Sequence, residues 1–586
     1  MNSLRIEGMK KVGLLIVLLT LCGFAFSQTS LNLDSDYYLN FSRWENLGLV
    51  DKLPEQKPYS YFLVESLLKT VMECDDEVEA EKAAVLYKKL TGKKIYISGL
   101  YEENLNAKEN FEHQELFDLG VEGEFPLFPY AAISYELKDT IQDNSSLSFP
   151  VFTDKPNGTA ADPAHIGPFS ANLNMNTVAS FGTKDISVLA GLAQSNFSPL
   201  FNESIVLDKN LFHSAFISFV LDRPKFNYTQ TLYALTATNN SNTTLYPEKY
   251  MAFHSATLKL LPWFSLLYYE NMIYGGRFDL AYLLPTPFMV SQSLSGFADN
   301  LQMGIGLRFY PLTGLKLSAD VFVDDLNVNE LVKFNFDTRL YTAFLFGSQY
   351  TPGGKLGAVM KNVEASYTLI APYIYSHQQY NKDASGNSVY SGVKGANYQN
   401  YSHYGYNIAT PLYPNSDKIN LVVTLEPVSN LKISCGNSFV RHGNISESIT
   451  TEEAGCYLKA EKGEYVTDGS YKQHPEYSSE NGEWKNRTET SEKFDFLKQN
   501  TLMYVFNDTL KVEYTFRPKY FESIKVYVQN VFEYIKNDGV QNEIYPGQSL
   551  SEASAADVQN YYKTWKDNIR PDTFNDYITI GVSLCW

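Results

Sequence analysis

Cysteine is scarce in this 586-residue chain, 5 in all, and no two stand at a CxxC or other metal-ligand spacing. Histidine is nearly as thin at 8 and forms no cluster, so no resident metal or other cofactor is expected. No Ser-His-Asp arrangement and no His-Asp pair at recognisable spacing occurs, and the chain does not read as an enzyme. Positive charge is also short, with 48 Lys and Arg against 66 Asp and Glu, a net −18. That balance gives no general attraction for nucleic acid or anionic lipid. Beyond residue 27 no apolar run reaches the roughly 18 residues that a membrane-spanning helix needs.

The chain's start supplies the one long apolar stretch. Lys10 and Lys11 precede Val12 to Phe26, and Ala25-Phe26-Ser27 places small residues at the two cleavage-determining positions. Residues 1–27 therefore read as a secretory signal peptide. A competing reading makes Cys22 a lipidated residue, although the bulky Leu21 before it fits poorly. Removing this leader leaves 45 Lys and Arg against 65 Asp and Glu, a net −20. Four cysteines remain: Cys74, Cys435, Cys456 and Cys585.

Aromatics are abundant. Tyr and Phe number 43 and 37, more than hydropathy scans reveal as apolar segments, which is what a barrel with a lipid face and interfacial girdles requires. At the C-terminus Ile578, Ile580, Val582, Leu584 and Trp586 alternate with Thr579, Gly581, Ser583 and Cys585, the period of a strand between oil and a wetter interior. Thr579, Gly581, Leu584 and Trp586 also resemble the C-terminal signal recognised by the outer-membrane barrel-assembly machinery. In Leu301–Asp324 two alternating runs flank Pro311-Leu312-Thr313-Gly314, predicting a hairpin with Gln302, Arg308, Lys316, Asp320 and Asp324 in the lumen. Glu364, Lys511 and Glu513 join that set as a salt-bridge ladder, or as the lining of a pore in a less crowded barrel.

Short proline-bearing turns near Pro262, Pro427 and Pro518 contrast with long polar connections at 274–300, 378–418, 443–500 and 536–573. Barrels of this kind keep short turns in the periplasm, so counting strands back from the terminus puts every one of those long connections outside the cell. Cys456 then lies outside and Cys585 at the periplasmic end, so those two do not pair. The predicted fold is all-β: a transmembrane antiparallel barrel of about 18 strands over residues 96–586, with a small α-helical domain before it. That domain, residues 28–95, is expected to be periplasmic or plugged into the barrel's lower mouth. Within it, helices are expected over Tyr37–Leu47, Tyr59–Glu73 and Glu77–Leu90, from apolar residues at helical spacing.

From Met251 onward the chain resembles the capsule assembly Wzi family. The likeness rests on Phe253-His254, Glu270-Asn271-Met272-Ile273-Tyr274, Tyr282-Leu283-Leu284-Pro285, Asp299-Asn300-Leu301, Asp324-Asp325, Tyr375-Ser376-His377, Tyr401-Ser402-His403-Tyr404-Gly405, Pro414-Asn415-Ser416-Asp417 and Arg441-His442-Gly443, in that order. The resemblance implies an eighteen-stranded barrel with a periplasmic helical bundle, acting as a lectin for capsular polysaccharide. Two departures stand out. Tyr406-Asn407-Ile408-Ala409-Thr410 replaces an expected Gly-His feature, and 443–500 is an unusually long acidic loop.

Laid over the topology, Tyr274, Asp299, Asn300, Asp324, Asp325, His377, Tyr401, His403, Asn415, Asp417, Arg441 and His442 fall at external strand ends or in external loops. Carboxylates, amides and aromatic faces on one rim suit a glycan. The expected partners are outer-membrane lipid, the assembly machinery and a surface polysaccharide. Given the net negative charge, the expected ligand is a neutral glycan, or an acidic one held by a locally basic rim or by calcium bridging to Asp299, Asp324 and Asp325. The bland alternatives are turn formation for Asp299-Asn300 and Asn415-Asp417, and a solvated loop start for Asp324-Asp325. The rival function is a channel for small solutes.

Overall fold

The computed structural model describes residues 29–585 apart from 93, 108–110, 144–146, 154–163, 211, 239–244, 284–298, 336–337, 339, 373, 376–397, 444–478, 481–482, 485–495, 498–501 and 538–571. The leader with Cys22, and also His377, Cys456 and Trp586, lie outside the described residues.

Three helices come first: α1 (Asp36–Leu47), α2 (Tyr61–Met72) and α3 (Glu77–Thr91). Each boundary has a local cause. Gly48, at φ 74°, ends α1 in the left-handed conformation that glycine adopts without penalty. Ser60 accepts the Leu63 N–H at the start of α2, and Asp76 accepts those of Val78 and Glu79 at the start of α3. The apolar faces meet in a core containing Tyr37, Trp44, Val64, Leu68, Val71 and Leu86. Beneath them Glu79 receives both Arg43 Nε (2.9 Å) and Trp44 Nε1 (2.8 Å), so the buried charge is paired.

Eighteen antiparallel strands then close into one barrel. They are β1 (Tyr96–Asn106), β2 (Glu112–Phe128), β3 (Ala131–Gln142), β4 (Phe169–Gly182), β5 (Ile186–Ala193), β6 (Ser214–Arg223), β7 (Phe226–Thr238), β8 (Leu245–Leu261), β9 (Phe264–Gly275), β10 (Asn300–Leu312), β11 (Leu315–Leu326), β12 (Leu340–Tyr350), β13 (Met360–Ile370), β14 (Ser416–Val428), β15 (Leu431–Gly443), β16 (Leu502–Phe516), β17 (Ser523–Lys536) and β18 (Thr573–Cys585). Closure comes from β18 pairing with β1, Ser98 opposite Cys585, which leaves no open sheet edge. The first strand begins at Tyr96, directly after the helices.

The alternation sets the two faces. In the β10–β11 hairpin Ile305, Leu307, Phe309 and Leu317 are exposed on the outside, while Gln302, Arg308, Lys316 and Asp320 are buried inside. Thr579 turns inward to donate to Asn104 Oδ1 (2.7 Å). Gly581 lies against the Tyr527 ring, where a Cβ would sit 2.2 Å from Cζ. The connections 129–130, 183–185, 224–225, 262–263, 313–314, 351–359, 429–430 and 517–522 share one end, and the long ones share the other. In bacterial outer-membrane barrels the end with the short connections is the periplasmic one.

The helices sit in the short-turn mouth. Arg43 donates to the carbonyls of Pro352 (2.9 Å) and Lys361 (3.1 Å), and the Gly314 N–H donates to Asn46 O (2.8 Å). From there the segment after α1 climbs into the lumen. Gln56 and Lys57 pair as a short ladder with Phe197 and Asn196, which belong to a connection at the opposite end.

Candidate functional site

Two connections from the long-loop end fold into the barrel rather than over it. Residues 194–213 carry Phe197, Leu200, Ile205, Val206 and Leu207 into a single buried cluster with Phe253, Tyr269 and Phe322 of the wall. Ile374, Tyr375, Tyr401, Ile408 and Leu412 of the 371–415 connection complete it. Phe197 packs edge-on against Phe253 at 4.8 Å and Tyr269 at 5.2 Å. Two buried tyrosines tie the connections to each other: Tyr375 OH donates to Ile205 O (2.8 Å) and Tyr401 OH to Val206 O (2.7 Å).

The lumen charges anchor this filling. Arg308 forks between Asp320 (2.9 and 3.0 Å) and Glu55 of the climbing segment (2.6 Å). Lys316 reaches Glu45 of α1 at 3.7 Å. Glu364 receives the N–H groups of Phe201 and Asn202, both at 2.9 Å, and Gln302 donates to Asp324 (3.1 Å). Glu513 pairs with Lys525 at 3.0 Å, while Lys511 lies 4.6 Å from the centre of the Tyr527 ring. The expected ladder is thus partly a wall-to-plug set of contacts, a role that sequence spacing does not display. Two cavities beside the filling measure about 30 and 10 Å³, room for a few waters at most.

The expected rim residues separate into three groups. Asp417 and Arg441 are cross-strand neighbours joined at 2.9 and 2.5 Å, and Tyr367 OH donates to the same carboxylate (2.9 Å). Beside them His442 meets Ser416 Oγ at 2.9 Å, and Asn415 accepts the Leu497 N–H (2.8 Å). A second group is buried against the inward connections. Asp324 accepts the Tyr375 N–H (2.8 Å), Asn300 donates to Gln399 O (2.9 Å), and His403 accepts the Thr236 N–H (3.0 Å); Tyr401 belongs here too. Burial pushes the His403 ring down to about 3 and that of its neighbour His213 down to about 4. In the third group Arg277 holds Asp299 at 3.0 and 2.5 Å, Tyr282 OH donates to it (2.8 Å), and Tyr274 packs on Tyr282 with ring centres 4.6 Å apart.

Asp325 is half-buried opposite Tyr341. Among the described residues no three His, Cys, Asp or Glu side chains converge on a position for a metal ion. Asp299, Asp324 and Asp325 therefore do not make a three-carboxylate calcium site by themselves.

Surface open at this end is aromatic and was not singled out by sequence. Tyr406 is 38% exposed and packs on Phe212 at 5.1 Å. Tyr413, 40% exposed, packs on Phe152 at 5.2 Å and on His442 at 5.8 Å. The Arg441 side chain is 43% exposed. The available signal was tyrosine recurring beside glycine and proline within 401–414.

The class this geometry defines is an eighteen-stranded barrel of outer-membrane type, apolar outside and filled by its own chain. No family model and no curated protein matches the sequence. The fold is shared with Wzi of Escherichia coli, an outer-membrane protein involved in group 1 capsule assembly and a carbohydrate-binding barrel. The two superpose with a TM-score of 0.51 over 94% of this chain and 98% of that one, at 10% identity. Pseudomonas aeruginosa OpdL and OprD match more loosely. Their TM-scores are both 0.38, at 9% and 6% identity, over 84% and 85% of this chain and 97% and 94% of theirs.

Proposed function

We propose that this protein resides in the outer membrane and holds a surface polysaccharide of capsule type at its extracellular end. The filled lumen supports this reading most. Helices fill one mouth with their own apolar core, two connections from the other end fill the upper lumen with a second, aromatic-rich core, and the short ladder of Gln56 and Lys57 with Phe197 and Asn196 joins the two. Wzi, with the same fold, binds carbohydrate.

Contact falls to the exposed faces of Tyr406 and Tyr413, which suit stacking on sugar rings, and to the Arg441 guanidinium, which donates to hydroxyls. Asp325 and His377 remain candidates. Asp299, Asp324, Asn300, Asn415, Asp417, Tyr274, Tyr401, His403 and His442 position the surrounding chain. Because the mature chain carries a net −20, and no basic cluster offsets it in these groups, the ligand is a neutral glycan. The triple variant Tyr406→Ala, Tyr413→Ala, Arg441→Ala should lose most cell-surface glycan while reaching the membrane at wild-type level. Retention equal to wild type removes the site.

One observation favours the channel reading. Along β15 and β17 the lumen wall stays partly open, with Lys432 27% and Lys525 23% exposed, and Asp36 opposite Lys432 is 54% exposed. Large steady conductance of purified protein in a planar bilayer would establish that reading in place of the lectin.

A further inference from the structure

Side chains on the barrel's outer wall should be apolar, yet β7, β8 and β9 carry a row of polar ones there. Thr231 and Tyr233 of β7 reach Gln56 inside the lumen, so Gln230 and Leu232 point outward. The register carries that orientation across the sheet: Gln230 lies opposite His254, His254 opposite Glu270, and Glu270 opposite Met303. On the far side of the row, Ile305 of β10 and Ile217 of β6 are open to the surroundings. His254 and Glu270 are joined at 3.2 Å with side chains only 2% and 1% exposed. Tyr228 OH donates to Gln230 (3.0 Å), and Tyr268 OH donates to Glu270.

Glu270 stands seven residues above Trp263 of the lower turn. On a strand tilted by about 45° that is roughly 17 Å, inside an apolar band about 25 Å tall. An ionisable pair at that depth needs cover from lipid; the Tyr228 ring stands 6.1 Å from the His254 ring and Tyr268 bonds Glu270, and residues 276–283 cover the Gln230 end of the row. The short helix Leu280–Leu283 places Tyr282 in a cluster with the outward-facing Leu232, Ala252, Met272 and Tyr274. Gln230 Nε2 donates to Tyr282 O (2.9 Å). This stretch therefore descends along the outside of the wall instead of standing up into the medium. Arg277, gripping Asp299, pins its upper part. Its remaining face is apolar: Phe278 is 53% exposed and Leu280 68%.

We propose that residues 276–283 form a membrane-embedded contact surface whose partner is the acyl-chain layer of the outer leaflet. Phe278 and Leu280 continue the apolar belt of Ile217, Leu258 and Ile305, and the segment's inner face seals Gln230 from hydrocarbon. Continuity with the belt argues for lipid as the occupant, since a water-facing loop gains nothing by displaying a phenylalanine and a leucine beside a transmembrane wall.

The experiment uses the full mature chain in proteoliposomes, with Cys74, Cys435, Cys456 and Cys585 replaced by serine. An environment-sensitive dye is attached at Leu280→Cys and, as a control, at Asp572→Cys, which is exposed just before β18. The Leu280 dye should be quenched by spin-labelled lipid and sheltered from aqueous iodide, with a ratio of lipid to iodide quenching several-fold above that at Asp572. A ratio equal to that at Asp572 overturns the proposal. Phe278→Cys repeats the measurement should Leu280→Cys fail to assemble. Glycan retention is read separately, so this result stands or falls apart from the proposed function.

Discussion

Replacing Phe197 by aspartate tests whether the inward connection is what closes the barrel. Phe197, Leu200, Ile205, Val206 and Leu207 are all at most 4% exposed. At about 1.5–3 kcal/mol per buried side chain their hold is roughly 7–15 kcal/mol, an upper bound because the released connection keeps some burial. Phe197→Asp removes one of these contributions. It also puts a carboxylate between the rings of Phe253 and Tyr269, a desolvation cost of several kcal/mol. Together the two effects approach the lower end of the hold, so the connection should spend much of its time out of the lumen. The barrel wall, whose strand ladder does not pass through residue 197, should persist. In a planar bilayer the variant should show discrete openings where the wild type is quiet, with heat-modifiable gel mobility unchanged. A variant that keeps this barrel signature and is as quiet as wild type would refute the idea that residues 194–213 close the lumen.

Acid should loosen the long-loop end. His403 and His213 are held neutral by burial, at about 3 and 4, against an unfolded value near 6.5. Between those values the released chain binds more protons than the docked one, so docking is fully stable above about pH 6.5 and weakens as pH falls towards 4; protease access to 371–415 across that range checks it. His403→Gln should flatten the profile. Arg308→Met leaves Asp320 buried and Glu55 half-buried without their guanidinium and should cost about 3–5 kcal/mol of plug stability, measurable as a lowered thermal transition; an unchanged transition would refute the arginine's clamping role. Gly581→Val drives a Cβ into Tyr527 and should sharply reduce the amount of folded barrel in the membrane, with Gly581→Ala less severe.

Much of the wall was legible in the chain. Ile305, Leu307 and Phe309 alternating with Gly304, Gly306 and Arg308 state which side meets lipid, because a period of two permits only one apolar face. The helices were legible from Val64, Leu67, Leu68 and Val71, whose spacing matches one helical stripe. The inward course of 194–213 was not. Ile205-Val206-Leu207 is too short to have a period, and nothing local tells a connection whether its apolar residues will find a lumen. The rim residues were chosen for their types, but the partners that bury them lie far away: Asp324 meets Tyr375 across 51 positions and Asn300 meets Gln399 across 99.

By itself, then, the sequence determined a cylinder, its lipid face and the helices that precede it, since each follows from periodicity, a property of neighbouring residues. Only the tertiary structure decided that the cylinder is filled, that its inner charges clamp the filling, and that Glu270 and His254 are sheltered on the outer wall. Those outcomes depend on which distant side chains meet inside or against a closed sheet, and closure is a property of all eighteen strands together.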